Sequence, residues 1–231
     1  MSRFTVFALG RGLAVPTRKT VGLAALLVAV MATPQSATAQ QPAVKYVAAD
    51  VAFVQGMIAH HAQALLMTAL MPASTRDQTL RLLGERITVS QRDEIAMMAE
   101  WLRVRGEAVP AVAAAVAAGS PLPTGMDHGS MDHASMSAGD HLMPGMLSAS
   151  QMDTLRSARG AAFDHLFLRY MIQHHEGALA MVMQLMSSPG AAQEPQLFGF
   201  ASDVDTDQRA EIRRMQTLLT KRPRPAAPAP L

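Results

Sequence analysis

The chain has 231 residues, 49% of them hydrophobic and 16% charged, with a formal net charge of +2, 18 Met and no Cys. That length suffices for one sizeable domain, and the lack of Cys excludes both a disulfide framework and thiolate chemistry. With 4% aromatic residues and no long basic run before the tail, nucleic-acid binding has no support.

Residues 1–39 read as a secretory signal peptide. Arg3, Arg11, Arg18 and Lys19 surround or precede an apolar run at 21–31, and Ala37-Thr38-Ala39 forms a small-residue cleavage site. The run is about 11 residues, too short for a bilayer, so no stable membrane insertion is expected after cleavage. The leader holds four of the 20 basic residues and none of the 18 acidic ones. What remains, 16 against 18, carries a formal charge of −2. The expected location is periplasmic or otherwise exported.

From Val47 the apolar positions follow helical spacing: Phe53, Val54, Met57, Ile58, His61, Leu65 and Thr68 share one side. Pro72 ends this helix. Thr75-Arg76-Asp77-Gln78 is a capping-box pattern for a second one, which carries Leu80, Leu83, Ile87, Glu94, Ile95, Met98, Trp101 and Leu102 and stops near Gly106. Residues 47–106 therefore form a first helical hairpin. A linker follows at 107–147, with a short Ala-rich helix possible at 111–118. Its stretch 125–146 is rich in Gly, Ser, Met and His and reads as mobile rather than packed. A second hairpin spans 148–222. Ser148 to Gln151 offers a capping box, one long helix runs to about Met186 with a weak point at Gly160, and the last helix runs from Pro195 to about Lys221. Residues 223–231 are a Pro-rich tail read as disordered. The expected architecture is all-α, a ferritin-like four-helix bundle within 40–222 built from two duplicated hairpins.

The duplication is explicit. Residues 50–67, DVAFVQGMIAHHAQALLM, return at 164–181 as DHLFLRYMIQHHEGALAM, an offset of 114. QRDEIAMMAEWL (91–102) returns as QRAEIRRMQTLL (208–219), an offset of 117, which pairs Glu94 with Glu211. On a helical wheel with Asp50 at 0°, Met57 falls at about −20° and His61 at about +20°, while His60 and Met67 fall at about −80° and −100°. Met57 and His61 thus stack one turn apart, near enough to share a metal. Asp50 lies about 16 Å from His61 along the axis, too far to join them, and serves the helix N-terminus instead. Met171, His174, His175 and Met181 repeat this geometry. Glu94 and Glu211 are candidates to orient His61 and His175 or to coordinate directly. Imidazole is a costly filler for an apolar interface, which favours a functional role for His61 and His175. His60 and His174 are equally compatible with plain surface positions. Met98, Met183, Met186 and Met215 are read as core.

The linker carries the clearest ligand signal. Met126, Met131 and Met136 recur every five residues, with His128, His133, His141, Met143 and Met146 among them. Thioether plus imidazole suits Cu(I), and imidazole with Asp127, Asp132 and Asp140 also suits Cu(II).

The repeated D-x2-F-x3-M-I-x-H-H-x2-A-x2-M pattern, with the later E-I-x2-M helix, resembles the domain of unknown function 305 family over about residues 46–220. The resemblance implies exported, ferritin-like four-helix proteins, some associated with copper binding and resistance through Met and His. It falls on Asp50, Met57, His60, His61 and Met67, and on Asp164, Met171, His174, His175 and Met181. Many members carry Pro before the His pair, where this chain has Ala59 and Gln173. That difference bears on the local helix rather than on the ligand set.

Three functions compete. The favoured one is a non-enzymatic periplasmic copper-binding protein that sequesters copper or passes it to a copper-exporting or copper-accepting partner, as a monomer or a homo-oligomer. The linker would act as its capture arm. A ferritin-like di-iron oxidase or storage protein is second, since no Glu-x-x-His motif occurs. A non-metal envelope-stress or interaction protein is third. No nucleophile elbow, Cys nucleophile or phosphate-binding loop supports hydrolysis.

Overall fold

The computed structural model describes residues 46–120, 122 and 142–222. The expected signal peptide, the tail, and Met126, His128, Met131, His133, Met136 and His141 lie outside the described residues. Those described form seven helices and no strand, which is the all-α class expected.

Helix α1 (Ala48–Ala69) starts where Asp50 accepts the Val47 N–H at 2.9 Å. Every residue from Met57 to Leu65 is buried. A helix buried all round must lie between neighbours, and α3, α4 and α6 all pack on it. After the short α2 (Met71–Ser74), α3 (Gln78–Arg103) returns antiparallel to α1. The direction follows from successive contacts: Thr68 with Thr88, His61 with Glu94, Tyr46 with Glu107. The expected capping box from Thr75 to Gln78 is not made. Asp77 caps α3 instead, accepting the Leu80 N–H at 2.9 Å, while Thr75 accepts the N–H of Asp77 itself. Asp77, the nearer residue, is an ionised acceptor, and Arg222 from the far end of the chain pairs with it.

The span 107–147 is not a linker throughout. Helix α4 (Ala111–Ala117) packs on α1 and α3 and buries Ala113. Residues 142–147 form a strap in which Met146 and Leu147 are buried. Met146 belongs to the packed structure, which corrects the reading of 125–146 as unpacked, and Leu147 closes the linker inside the core. The strap is held by Gln63, whose amide donates to the Leu147 carbonyl at 3.0 Å and accepts the Leu147 N–H at 2.7 Å.

The second hairpin opens with the expected capping box: Ser148 and Gln151 exchange backbone-to-side-chain hydrogen bonds at 2.9 and 3.2 Å. The single helix expected from there is divided. Helix α5 (Ala149–Ser157) ends at extended Ala158 and Arg159, and Gly160, at φ +55°, starts α6 (Gly160–Ser187). Helix α7 (Pro195–Thr220) then packs along α6.

The two hairpins meet where α1 packs on α6, and the core separates into two apolar clusters. One contains Phe53, Met57, Ile58, Ile95, Met98, Trp101, Val182, Leu185 and Val204. The other contains Met67, Leu80, Ile87, Phe163, Phe167, Met171, Ile212 and Met215. Met98 and Met215 are core as expected, but Met183 and Met186 are 66% and 39% exposed. The inward stripe of α6 runs through Ala178, Met181, Val182 and Leu185, which turns Met183 and Met186 outward. Their counterparts at the 114-residue offset, Ala69 and Pro72, are also exposed.

Candidate functional site

Each long helix changes from one apolar cluster to the other by way of polar residues. On α1 these are His60, His61 and Gln63; on α3, Gln91 and Glu94; on α6, His174 and His175; on α7, Gln208 and Glu211. All of them except Glu211 are buried, and the four histidines are wholly inaccessible. Together they form a polar layer between two apolar clusters, and the internal duplication supplies it twice over.

Two histidines face carboxylates of their own hairpin. His61 Nε2 meets Glu94 Oε2 at 2.5 Å, and His175 Nε2 meets Glu211 Oε2 at 2.7 Å. Ser90 also donates to Glu94 at 2.7 Å, and Arg86 lies 3.5 Å from Glu211. Burial pushes the Glu94 carboxyl up, but the bonds from His61 and Ser90 outweigh it and hold Glu94 below the usual carboxylate range.

The other two histidines join the hairpins. The His60 and His174 rings lie 3.9 Å apart between centroids, tilted by 37°. His60 Nε2 bonds the Pro144 carbonyl of the strap at 3.0 Å, and His174 Nε2 bonds the His60 carbonyl at 3.0 Å. The structure therefore corrects the surface alternative for this pair. The helix edge that carries His60 on the wheel is the α1–α6 contact, closed over by the strap. Burial first, and the neighbouring imidazoles second, lower His60 to about 3 and place His174 well below its ordinary value. Both rings are neutral at pH 7.

These contacts select one tautomer. Pro144 O, His60 O and the two glutamates can only accept, so each Nε2 carries the hydrogen and donates it. In the neutral His60 and His174 rings Nδ1 is thereby left as a bare lone pair, and none of the four Nδ1 atoms has a hydrogen-bond partner. A buried imidazole whose far nitrogen donates to a carboxylate or carbonyl is the arrangement that prepares histidine for a metal. Met57 and Met171 stand one turn before His61 and His175 on the same helix faces, fully buried. Among the described residues no three His, Asp or Glu side chains are placed to hold one ion. The thioethers of Met57 and Met171 beside the imidazoles make a donor set that suits a soft ion.

The expected residues do not all come together. Met67 lies within the second apolar cluster and Met146 is buried within the strap. Met143 and Met181, expected in separate sites, both lie against Gly56 at the surface of α1. Asp50 stays out of the layer as expected: it caps α1 and also accepts the Ala192 N–H at 2.7 Å. Gln91 and Gln208 were not anticipated. They are 1% and 3% exposed and carry side-chain atoms without partners. The signal for them was the opening Gln-Arg of both copies of the repeated α3/α7 string.

This chain belongs to the family described as domain of unknown function (DUF305), whose sequence model matches residues 50–219. Two solved members share its fold. A DUF305 fragment from Deinococcus radiodurans is 28% identical with a TM-score of 0.58, over 76% of this chain and 98% of that one. A DUF305 protein from Streptomyces coelicolor is 25% identical with a TM-score of 0.58, over 75% and 93%. CopM in its Cu(I)-bound form aligns at 21% identity and a TM-score of 0.49, over 77% and 98%. No curated protein sequence matches the chain. Among the described residues no helix is long and apolar enough to cross a membrane.

Proposed function

We propose that this is an exported, non-enzymatic copper-binding protein that sequesters copper or passes it to a copper-exporting or copper-accepting partner. One observation carries the reading: four buried imidazoles, each with Nε2–H committed to an acceptor-only oxygen and Nδ1 unpartnered. A buried nitrogen left without a partner costs stability unless something occupies it. His61 and His175, backed by Glu94 and Glu211 and accompanied by Met57 and Met171, are the residues that would hold the ion. Copper supplies the affinity for mixed imidazole and thioether donors. The linker residues Met126, His128, Met131, His133, Met136 and His141 extend the reading as a capture arm.

The test is metal titration of the chain lacking residues 1–39, beside a variant lacking 123–141 and the variant His61→Gln/His175→Gln. Cu(I) under anaerobic conditions should bind more tightly than Zn(II) or Fe(II), with stoichiometry lowered by the histidine changes. Absence of copper binding at micromolar concentrations would overturn the reading. The two His–Glu pairs also favour a di-iron alternative, for which oxygen consumption on adding Fe(II) is the distinguishing measurement.

A further inference from the structure

The strap and α6 each bring a methionine to the same glycine at the edge of the α1–α6 contact. A Cβ added to Gly56 would lie 3.3 Å from Met143 Sδ and 3.3 Å from Met181 Cε. Both side chains therefore occupy the notch left by the missing side chain of Gly56. They approach it from different parts of the chain: Met143 from the strap, Met181 from α6. The strap cannot slide freely, because Pro144 binds His60, Gly145 accepts from Gln173 at 3.3 Å, and Leu147 is clamped by Gln63. Gly145 also lies directly on Gly177, where a Cβ on either residue would overlap the other's backbone. Met143 is held over Gly56 by this backbone network, not by apolar packing alone.

Three further features set the notch apart from ordinary core. Met143 is only partly buried and Met181 is 8% exposed, whereas Met57, Met67 and Met171 are inaccessible. The duplication does not reproduce the notch: at the 114-residue offset Tyr170 stands in place of Gly56, and Met67, the counterpart of Met181, is sealed in the other cluster. Finally, His60 lies one turn beyond Gly56 on the same face of α1. Its Nε2–H is taken by Pro144, the residue after Met143, and its Nδ1 is unpartnered and fully buried.

We propose that Met143 and Met181, with His60 as a third donor, form a binding site for a soft monovalent cation, Cu(I) or Ag(I), at the solvent-reachable edge of the helices. The site rests on the copper reading and locates where the ion first meets the folded protein. All three donors are neutral, so a monovalent ion brings less uncompensated charge into this edge than a divalent one. Two thioethers and an imidazole select soft ions over Zn(II). Binding there ties the strap to α6 and holds it over the His60–His174 pair.

The test uses the chain lacking residues 1–39 with 13C-methyl-labelled methionine. The first equivalent of Cu(I) or Ag(I) should shift the methyl signals of Met143 and Met181, assigned from Met143→Leu and Met181→Leu. The double Leu variant should lose one equivalent, or weaken the first by tenfold or more against a competing chelator. A control, Met97→Leu/Met183→Leu, removes two exposed thioethers from α3 and α6 and should titrate like the wild type. Thermal melting shows whether each variant is folded; if the double variant is not, Gly56→Ala, which crowds both thioethers, is read in its place. If wild type binds Cu(I) with unmoved Met143 and Met181 signals and unchanged double-variant stoichiometry, this site is wrong while the copper reading stands. If wild type binds neither Cu(I) nor Ag(I), both fall.

Discussion

His60 and His174, identical positions of a duplicated motif, pack against one another with ring centroids 3.9 Å apart, and the His174 Nε2–H donates to the His60 carbonyl. Neither ring can take up a proton cheaply in the folded chain. His60 is lowered to about 3 and His174 lies well below its ordinary value, both chiefly through burial. In the unfolded chain each titrates near 6.5. Between these values the unfolded state binds more protons, so stability is fully present above about pH 6.5 and is lost as pH falls toward the folded value. Each such histidine contributes a slope of up to about 1.4 kcal/mol per pH unit. His61 and His175 neighbour the pair, with ring centroids 6.4 Å from His60 and 6.2 Å from His174 respectively. Urea denaturation of metal-free protein at pH 7.5, 6 and 5 should show the decline, and His60→Gln/His174→Gln should flatten it. A wild-type midpoint independent of pH over this range would refute the neutral pair.

Glu94→Gln and Glu211→Gln test whether the carboxylates orient their histidines. Each change removes a charged acceptor from a buried Nε2–H and should cost about 1–3 kcal/mol of stability. Copper affinity should fall about 10–100-fold if His61 and His175 bind through Nδ1. Chelator competition reads the second effect separately from the first. Unchanged affinity in both variants would detach the glutamates from metal binding.

Asp50 is wholly buried and accepts two backbone N–H groups, from Val47 at 2.9 Å and from Ala192 at 2.7 Å. It therefore fixes the start of α1 and the α6–α7 turn at once. Asp50→Ala should cost about 1–3 kcal/mol, the penalty of unpaired buried donors. Ala192 is held at φ +54°, a left-handed conformation in which an L-residue is strained by about 1–2 kcal/mol. Ala192→Gly should accordingly raise stability by about 0.5–1 kcal/mol, less than the full strain because glycine gains freedom in the unfolded chain. A destabilised Ala192→Gly protein would show that the turn is not under strain.

Gly177→Ala probes the strap. The new Cβ would lie 1.9 Å from the Pro144 carbonyl oxygen, a backbone atom that cannot swing aside. Alanine favours a helix by about 1 kcal/mol over glycine, yet net destabilisation of about 1–3 kcal/mol is expected from overpacking. Amide exchange locates the damage: the Leu147 N–H, bonded to Gln63, should lose protection while the α3 interior keeps it. Undisturbed exchange at Leu147 would mean that the strap tolerates the added methyl.

The helices and much of the site were legible because both repeat in one dimension. Apolar spacing placed Phe53, Met57, Ile58 and Leu65 inward, and the two copies of the His-His and Glu-Ile strings identified the layer that His61 and Glu94 now form. The duplication also held a clue to exposed Met183 and Met186, since Ala69 and Pro72 occupy the matching positions. A helical wheel shows which residues share a side, but not how many neighbours that helix has. His60 and His174 were therefore ambiguous, because their edge is buried only when α1 meets α6. Gln91 and Gln208 went unread because a polar residue beside Arg looks solvated until a second hairpin closes over it.

By itself the sequence determined the all-α class, the duplication and the Met and His content of the repeated motif, and it made Glu94 and Glu211 candidates to face His61 and His175, all consequences of local periodicity and repeat offset. Only the tertiary structure decided which nitrogen of each histidine is spent and which is free. It alone brought Met143 and Met181 to Gly56, and converted residues 142–147 from part of a linker into a strap. Those outcomes depend on backbone carbonyls and bare glycine surfaces from segments far apart in the chain, whose meeting has no periodic signature.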